Sequence, residues 1–423
     1  MTMRLALVGC GGMGLRHLYG LMELKKHFDT FQLTAVCDLH EAAASHLAAE
    51  AEKALGERPR VYTGFDQMLE LEPGLDAVDI TTDSRMHHRF AIAAMEAGLH
   101  VMTEKPMGVT LKACRQMIRS AAATNKTLAV AENYRRDPVC RLARALLQSG
   151  AIGQPRFVLD VSVGAGGSAL MHDTAWRAMK ERGGGFVIEQ GVHIADLLLY
   201  YLGGVDRVTA EAAVLERRVE RRGMSENLRQ FYGHRVEEPE HARSQHMEAT
   251  AADSGFAVLR FHSGAIGQLT MTNASHGHSV GLGTIHGSTG ALIMPAARRG
   301  QSPELRLEGR HQPVSGDELL EFVPGFRLDH ITAPFFGGDR MASYDMPFEQ
   351  ADRTLVAIEL QDFAEAIFTG RQPEVDGRVG MEAAGLAYAV LESGETGAPV
   401  RMEDVLSGRV EAYQQPINEA NNI

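Results

Sequence analysis

Cysteine is scarce in this chain, four in 423 residues, and no two stand in Cys-x-x-Cys spacing. That excludes a disulfide framework. Cys10, Cys37, Cys114 and Cys140 read instead as small buried side chains in a reducing compartment, so a cytoplasmic location is expected. Cationic charge is also short: 42 Lys and Arg face 54 Asp and Glu, a formal net charge of −12. Wholesale binding to nucleic acid or an anionic membrane needs a basic face, so neither is an expected partner. No apolar run is long enough to span a bilayer. The first residues, MTMRLALVGCGGMG, already read as strand and turn, so no export signal is expected. Internal repeats and low-complexity tracts are missing too. What is present is an ordinary globular composition, 44% hydrophobic and 23% charged, long enough for two domains with proper cores.

The first third alternates apolar runs with helical patterns. Strands are predicted at Arg4–Gly9, Gln32–Asp38, Arg60–Gly64, Leu75–Thr82, His100–Lys105 and Leu128–Asn133. Helices are predicted at Gly12–Lys26, His40–Leu55, Phe65–Glu72, Met86–Gly98 and Thr110–Thr124. Such alternation implies a parallel sheet covered on both faces, with ligands outside the carboxyl ends of its strands. After about residue 134 the rhythm changes. A helix at Pro138–Gln148 precedes strand candidates at Arg156–Val163, Gly255–Phe261 and Ala265–Thr272, the last two joined by a hairpin-like His262-Ser263-Gly264. The main helices of this part are predicted at Gly184–Leu202 and Ala351–Phe368. The predicted fold class is therefore α/β. Residues 1–133 are expected to form the parallel-sheet domain. Residues 134–423 form an α+β domain with an open, mostly antiparallel sheet. A charged stretch at about 215–249 reads as an insertion, and residues of about 313–347 read as a loop-rich elaboration.

The turn after the first strand is Gly9-Cys10-Gly11-Gly12-Met13-Gly14, a G-x-G-x-x-G. It follows a strand and opens a helix, and Asp38 ends the next strand, where a carboxylate can bind a ribose 2′-hydroxyl. The glycines give a tight turn, close approach to a pyrophosphate and close helix packing, while the helix N-terminus supplies amide donors. The negative charge of Asp38 favours NAD over NADP. Gly164 to Ala169 (GAGGSA) is rejected as a second such site, since it lacks the last glycine and no helix follows.

A different kind of signal sits at Ala97 to Gly108, AGLHVMTEKPMG, where an apolar strand ends in Glu104-Lys105-Pro106 at the ligand edge of the sheet. Together with Gly9 to Gly14, NYRRDP (Asn133 to Pro138) and GGGFVIEQGVHIAD (Gly183 to Asp196), in that order, it makes the chain resemble a known family. This is the family of glucose–fructose oxidoreductase, inositol dehydrogenase and rhizopine catabolism proteins. The resemblance implies a Rossmann domain for NAD or NADP and a second domain that holds substrate and often mediates oligomers, here a homodimer or homotetramer. It implies that Lys105 contacts the reacting hydroxyl and the nicotinamide ribose, that His193 accepts the proton and that Asp196 is a structural acid. Thr81, Thr82, His87, Asn133, Trp176 and Arg177 are carried over as cofactor contacts, while Glu104 is left with two readings, a hydrogen bond to the cofactor ribose or a pair with a neighbouring cation. Two departures stand out: Glu189 replaces an aspartate four residues before the histidine, and Asp83-Ser84 replaces a Pro-Asn after the fourth strand.

The chemistry of these residue types agrees. Oxidising a secondary alcohol requires removal of its hydroxyl proton, which a neutral histidine of pKa near ~6.5 can accept. A lysine ammonium stabilises the developing alkoxide, and Glu189, one helical turn before His193, can bind a neighbouring hydroxyl. The reading is an NAD-dependent dehydrogenase acting on a secondary hydroxyl of a sugar, glycoside or cyclitol. A redox-neutral NAD-dependent glycoside-cleaving enzyme and a non-catalytic NAD sensor are the alternatives. No metal is expected: His234, His241 and His246 with Glu237, Glu238 and Glu240 match no fixed-ligand spacing and read as a solvated loop. His276, His278 and His286 are left open as pocket-lining candidates.

Overall fold

Two sheets organise the chain. The structure, a computed structural model, describes residues 2–165, 174–220 and 246–423. Strands β1 (Met3–Val8), β2 (Phe31–Cys37), β3 (Arg60–Tyr62), β4 (Ala77–Ile80), β5 (His100–Glu104) and β6 (Leu128–Ala131) pair in the order β3-β2-β1-β4-β5-β6. Every pairing is parallel. Each connection must therefore cross the sheet, and helices Gly12–Leu24, Glu41–Leu55, Phe65–Leu71, Ser84–Glu96 and Leu111–Thr124 do so. Burial on both faces explains the continuous apolar runs: β4 and β6 are buried at every residue. The strand order reverses between β1 and β4, and a crevice opens beyond their carboxyl ends.

Element ends differ from expectation for local reasons. The run Leu75–Thr82 is a strand only over Ala77–Ile80, because the Leu75 N–H turns back to donate to the Glu72 carbonyl at 3.1 Å. The helix expected from Met86 starts at Ser84, because the Asp83 side chain caps it, accepting from the Arg85 N–H at 3.1 Å. The departure at Asp83-Ser84 is thus a helix cap.

The second sheet comprises β7 (Phe157–Ala165), β8 (Val205–Ala213), β11 (Ser254–Phe261), β12 (Ile266–Ser275), β13 (Val280–His286), β14 (Gly290–Ile293), β15 (Glu304–Leu307) and β16 (Val400–Arg401). Its order is β15-β14-β13-β7-β12-β11-β8-β16, with β7 and β12 parallel and the other neighbours antiparallel. The β11–β12 hairpin turns at Gly264, whose φ of +90° suits glycine, as the His262-Ser263-Gly264 stretch predicts. Of the charged insertion, residues 221–245 lie outside the described residues. Its flanks pair as a small ribbon of β9 (Arg218–Glu220) and β10 (His246–Glu248).

Three helical features were not anticipated. The predicted helix Gly184–Leu202 is two pieces, Phe186–Glu189 and Gly191–Leu202, broken at Gln190. Helix Gly377–Thr396 packs on helix Gly191–Leu202 and on β8, and its residues Leu386 to Leu391 belong to the core beneath the second sheet. The helix predicted at Ala351–Phe368 as a main element of the second part is present as Phe348–Thr369 but covers the first sheet instead, its Leu355, Leu360 and Phe363 sharing a core with Leu5, Leu7 and Leu18. It crosses helix Gly12–Leu24 at Gly20, where an added Cβ would lie 2.4 Å from Val356 Cγ1.

Candidate active site

The glycine-rich turn has distinct needs at each glycine. Gly9 has φ +99°, and a Cβ there would lie 2.7 Å from the Thr82 nitrogen. A Cβ at Gly14 would meet the Gly9 carbonyl oxygen at 2.3 Å, so this position permits the helix to sit on the strand. At Gly11 an added Cβ meets nothing within 4 Å, and as the N-cap residue this glycine brings no side chain of its own to the start of the helix at Gly12, with Met13 in its first turn. Open space at a helix N-terminus is what a pyrophosphate requires. The Asp38 carboxylate stands beside it, accepting from the Cys10 N–H at 2.8 Å and the His40 N–H at 2.9 Å. These residues fit a dinucleotide.

A cavity of about 210 Å³ opens between the sheets at the carboxyl ends of β5 and β6, lined among others by Met13, Glu104, Lys105, Asn133, Arg177, Glu189 and His193. A larger hollow of about 370 Å³ lies at the opposite end of β2, against Phe28, Phe31 and Leu55, and holds none of the predicted site residues. Lys105 is carried into the cavity by the end of β5. Its Nζ donates to the Glu189 carbonyl at 3.1 Å and lies 4.0 Å from Glu189 Oε2. The break at Gln190 makes that contact possible, since a carbonyl at the end of a helix has no partner within it.

Below the lysine lies a buried charged row. Glu104 accepts from the Lys105 N–H at 2.9 Å and sits 3.2 Å from His17 Nε2, while His17 Nδ1 is 2.7 Å from Asp79 Oδ2. Burial alone would push both groups toward neutrality. For His17 it is outweighed by Asp79 and Glu104, which hold the imidazole well above the usual histidine range. For Glu104 it is outweighed by His17, Lys105 and Arg16, which bring the carboxyl down to about 2.

His193 projects from helix Gly191–Leu202 and is buried. Its Nδ1 is 2.8 Å from Glu132 Oε1 and 2.7 Å from Oε2, with the hydrogen bond directed at Oε1. The Tyr134 ring stacks on it in parallel, at 4.1 Å and 3°. Burial first, then the charges of Lys105 and Arg298, hold its pKa well below the usual value, so the ring is neutral.

The NYRRDP segment ties the two layers together residue by residue. Asn133 lines the cavity; Arg135 makes a bidentate pair with Asp196 at 2.8 and 2.5 Å, and Arg136 reaches Asp362 at 3.0 Å. Asp137 caps helix Pro138–Gln148 and accepts from the Arg298 N–H at 2.6 Å. Arg298 then donates to the Tyr134 hydroxyl at 2.6 Å and to Asp352 at 2.7 Å.

Several predicted residues also have partners within the fold. Glu189 is not on one helical face with His193, because the helix breaks between them; its carboxylate pairs with Arg177. Arg177 also stacks its guanidinium 4.5 Å over the Trp176 ring. Thr81 supports the glycine turn from behind, donating to the Gly9 carbonyl at 2.7 Å, and Thr82 donates to the Asp83 carbonyl at 3.2 Å. His87 is a clamp, with Nδ1 3.1 Å from the Pro106 carbonyl oxygen and Nε2 3.1 Å from that of Thr82. His286 stacks on Phe157 and His276 pairs with Glu216, both away from the cavity. His234 and His241 lie outside the described residues. Among those described, no group of three or more His, Cys, Asp or Glu is placed to hold a metal ion. Glu132, Tyr134 and Arg298 were not anticipated. Glu132 had a signal, a carboxylate directly after an apolar strand at the ligand edge; Arg298, on a distant loop, had none.

Fold and site together define an NAD-binding oxidoreductase. Residues 3–132 match the family described as "Oxidoreductase family, NAD-binding Rossmann fold", and residues 140–293 match the "GFO/IDH/MocA C-terminal domain". The chain belongs to the GFO/IDH/MocA family of oxidoreductases. It is 27% identical over 301 residues to levoglucosan dehydrogenase of Pseudarthrobacter phenanthrenivorans, covering 70% of this chain and 75% of that protein. It is 24% identical over 405 residues to myo-inositol 2-dehydrogenase of Thermotoga maritima, covering 96% of this chain and all of that one. In fold it resembles a solved levoglucosan dehydrogenase complexed with NADH, with a TM-score of 0.71 at 22% identity over 95% of this chain and 99% of that one.

Proposed function

We propose that this enzyme oxidises a secondary hydroxyl of a sugar, glycoside or cyclitol, with NAD as acceptor. The observation that carries the reading is that Lys105 and His193 line one cavity at the ligand edge of the NAD-binding sheet. NAD, when bound, supplies the acceptor for the hydride. Lys105, steadied by the Glu189 carbonyl, keeps further N–H donors for the substrate oxygen and stabilises its developing negative charge. His193 is neutral and takes the hydroxyl proton. Asn133 has a buried side-chain oxygen with no partner among the described residues, suited to a donor on cofactor or substrate. Arg177, by neutralising Glu189, leaves that residue as a positioning group.

A cytoplasmic location belongs to the same proposal, supported by four free, buried cysteines. So does self-association. The outer face of the second sheet exposes Phe157, Phe256, Val258, Ile266, Val280 and Leu282, which the strand registers place on one side. Such a patch fits a second copy of the chain.

The test is NADH formation from NAD across inositols, aldoses, glucosides and anhydrosugars. Turnover on one of these supports the reading. Release of free sugar from a glycoside without net NADH would replace it with redox-neutral cleavage. NAD binding with no turnover on the panel would replace it with a sensor.

A further inference from the structure

We infer that Glu132 and His193 act as one proton-holding pair, in which the buried carboxylate sets the imidazole tautomer and shares the proton taken from the substrate hydroxyl. This deepens the proposed function and rests on it for the origin of that proton. A carboxylate only accepts, so with Glu132 ionised the hydrogen must sit on Nδ1 and the lone pair on Nε2. Nε2 has no hydrogen-bond partner among the described residues, and His193 lines the cavity. Three contacts keep the ring from turning. The carboxylate holds one edge, the Tyr134 ring covers one face, and the Tyr134 N–H donates to Glu132 Oε1 at 3.3 Å. Glu189, the carboxylate nearer in sequence, is paired with Arg177.

The proton account closes within the pair. As the substrate C–H electron pair leaves as hydride for NAD and the C–O bond becomes a carbonyl, the hydroxyl proton moves to Nε2. The pair then holds two protons. Transfer of the Nδ1 proton to Glu132 turns an ion pair into an uncharged acid and an uncharged imidazole.

The surroundings favour that outcome. Burial raises the Glu132 carboxyl to about 7, against the pull of Lys105 from the end of β5, the Tyr134 N–H and Arg135 from the turn after β6; Glu104 adds to the rise. Asp196, from the helix that carries His193, is a further negative neighbour. Around His193, burial, Lys105 and Arg298 from the loop after β14 oppose the cation, while Glu104 and Glu189 favour it. Alcohol oxidation needs the one-proton pair and carbonyl reduction the two-proton pair. Oxidation should therefore rise, and reduction fall, as pH climbs through the neutral range.

The experiment is nitrogen NMR of the whole protein with labelled histidine, without substrate, from about pH 5 to about pH 9. His193→Asn identifies the signal, and Glu132→Gln is the probe. The expected wild-type result is an Nδ1–H tautomer at the alkaline end and a titration near neutrality that Glu132→Gln lacks. In the same variant kcat for oxidation should fall roughly 100-fold and lose its pH dependence, with KM within about twofold. An Nε2–H tautomer at alkaline pH, or the same titration in both proteins, overturns the pair. The wild-type spectrum decides the tautomer even if the variant does not fold. Failure to oxidise any hydroxyl would instead overturn the proposed function, because the spectrum judges the pair without turnover.

Discussion

Lys105 sits where two requirements meet. It is mostly buried, so its charge is little screened, and among the described residues its Nζ contacts are the Glu189 carbonyl and a carboxylate 4.0 Å away. Lys105→Met preserves length and removes the charge. It should lower kcat/KM by roughly 100- to 1,000-fold while NAD still binds, checked by steady-state rates beside NAD titration. Asp160 in β7 is a contrasting carboxyl, raised by burial to about 7. A raised carboxyl contributes stability that is whole below its unfolded value near ~3.9 and is lost as pH climbs through its folded value. Asp160→Asn removes the ionisation, so the melting temperature should rise more at about pH 8 than at about pH 5. Equal gains at both, or a loss at the higher pH, would contradict the assignment.

At the scale of elements, the glycine turn offers a direct comparison. Gly11→Ala fits the fold, since nothing lies within 4 Å of the added carbon, but intrudes where the pyrophosphate approaches. It should keep the melting temperature of the unliganded protein and weaken NAD about tenfold or more, some 1.4 kcal/mol. Gly14→Ala should destabilise the protein itself, because its Cβ strikes the Gly9 carbonyl at 2.3 Å. Thermal melts with and without NAD separate the two. Helix Gly191–Leu202 carries the lesson about legibility. Its apolar spacing was readable as one helix from Gly184, but the break at Gln190 was not, because its supporting partners are distant. Lys105 takes the freed carbonyl from β5, and Arg177 takes the carboxylate.

The whole molecule is two layers stitched by long-range ion pairs. We propose a unit boundary near residue 133, although helix Phe348–Thr369 returns to pack on the first sheet. The exposed face of the second sheet sets the remaining prediction. Val258→Glu with Leu282→Glu should shift the protein to monomer in sedimentation or light scattering, because carboxylates resist burial at an interface. An unchanged mass would place self-association elsewhere.

The sequence by itself determined the parallel sheet, the glycine turn with Asp38, and the placement of Lys105 at a strand's carboxyl end. Each of these is fixed by local periodicity or by backbone demands within a few residues. Only the tertiary structure decided which carboxylate serves which base. Glu132 and His193 are separated by 61 residues in sequence, and Arg298 and Tyr134 by 164, yet each pair is in contact. Such partnerships depend on how two domains close over one crevice, and no local pattern in the chain records that distance.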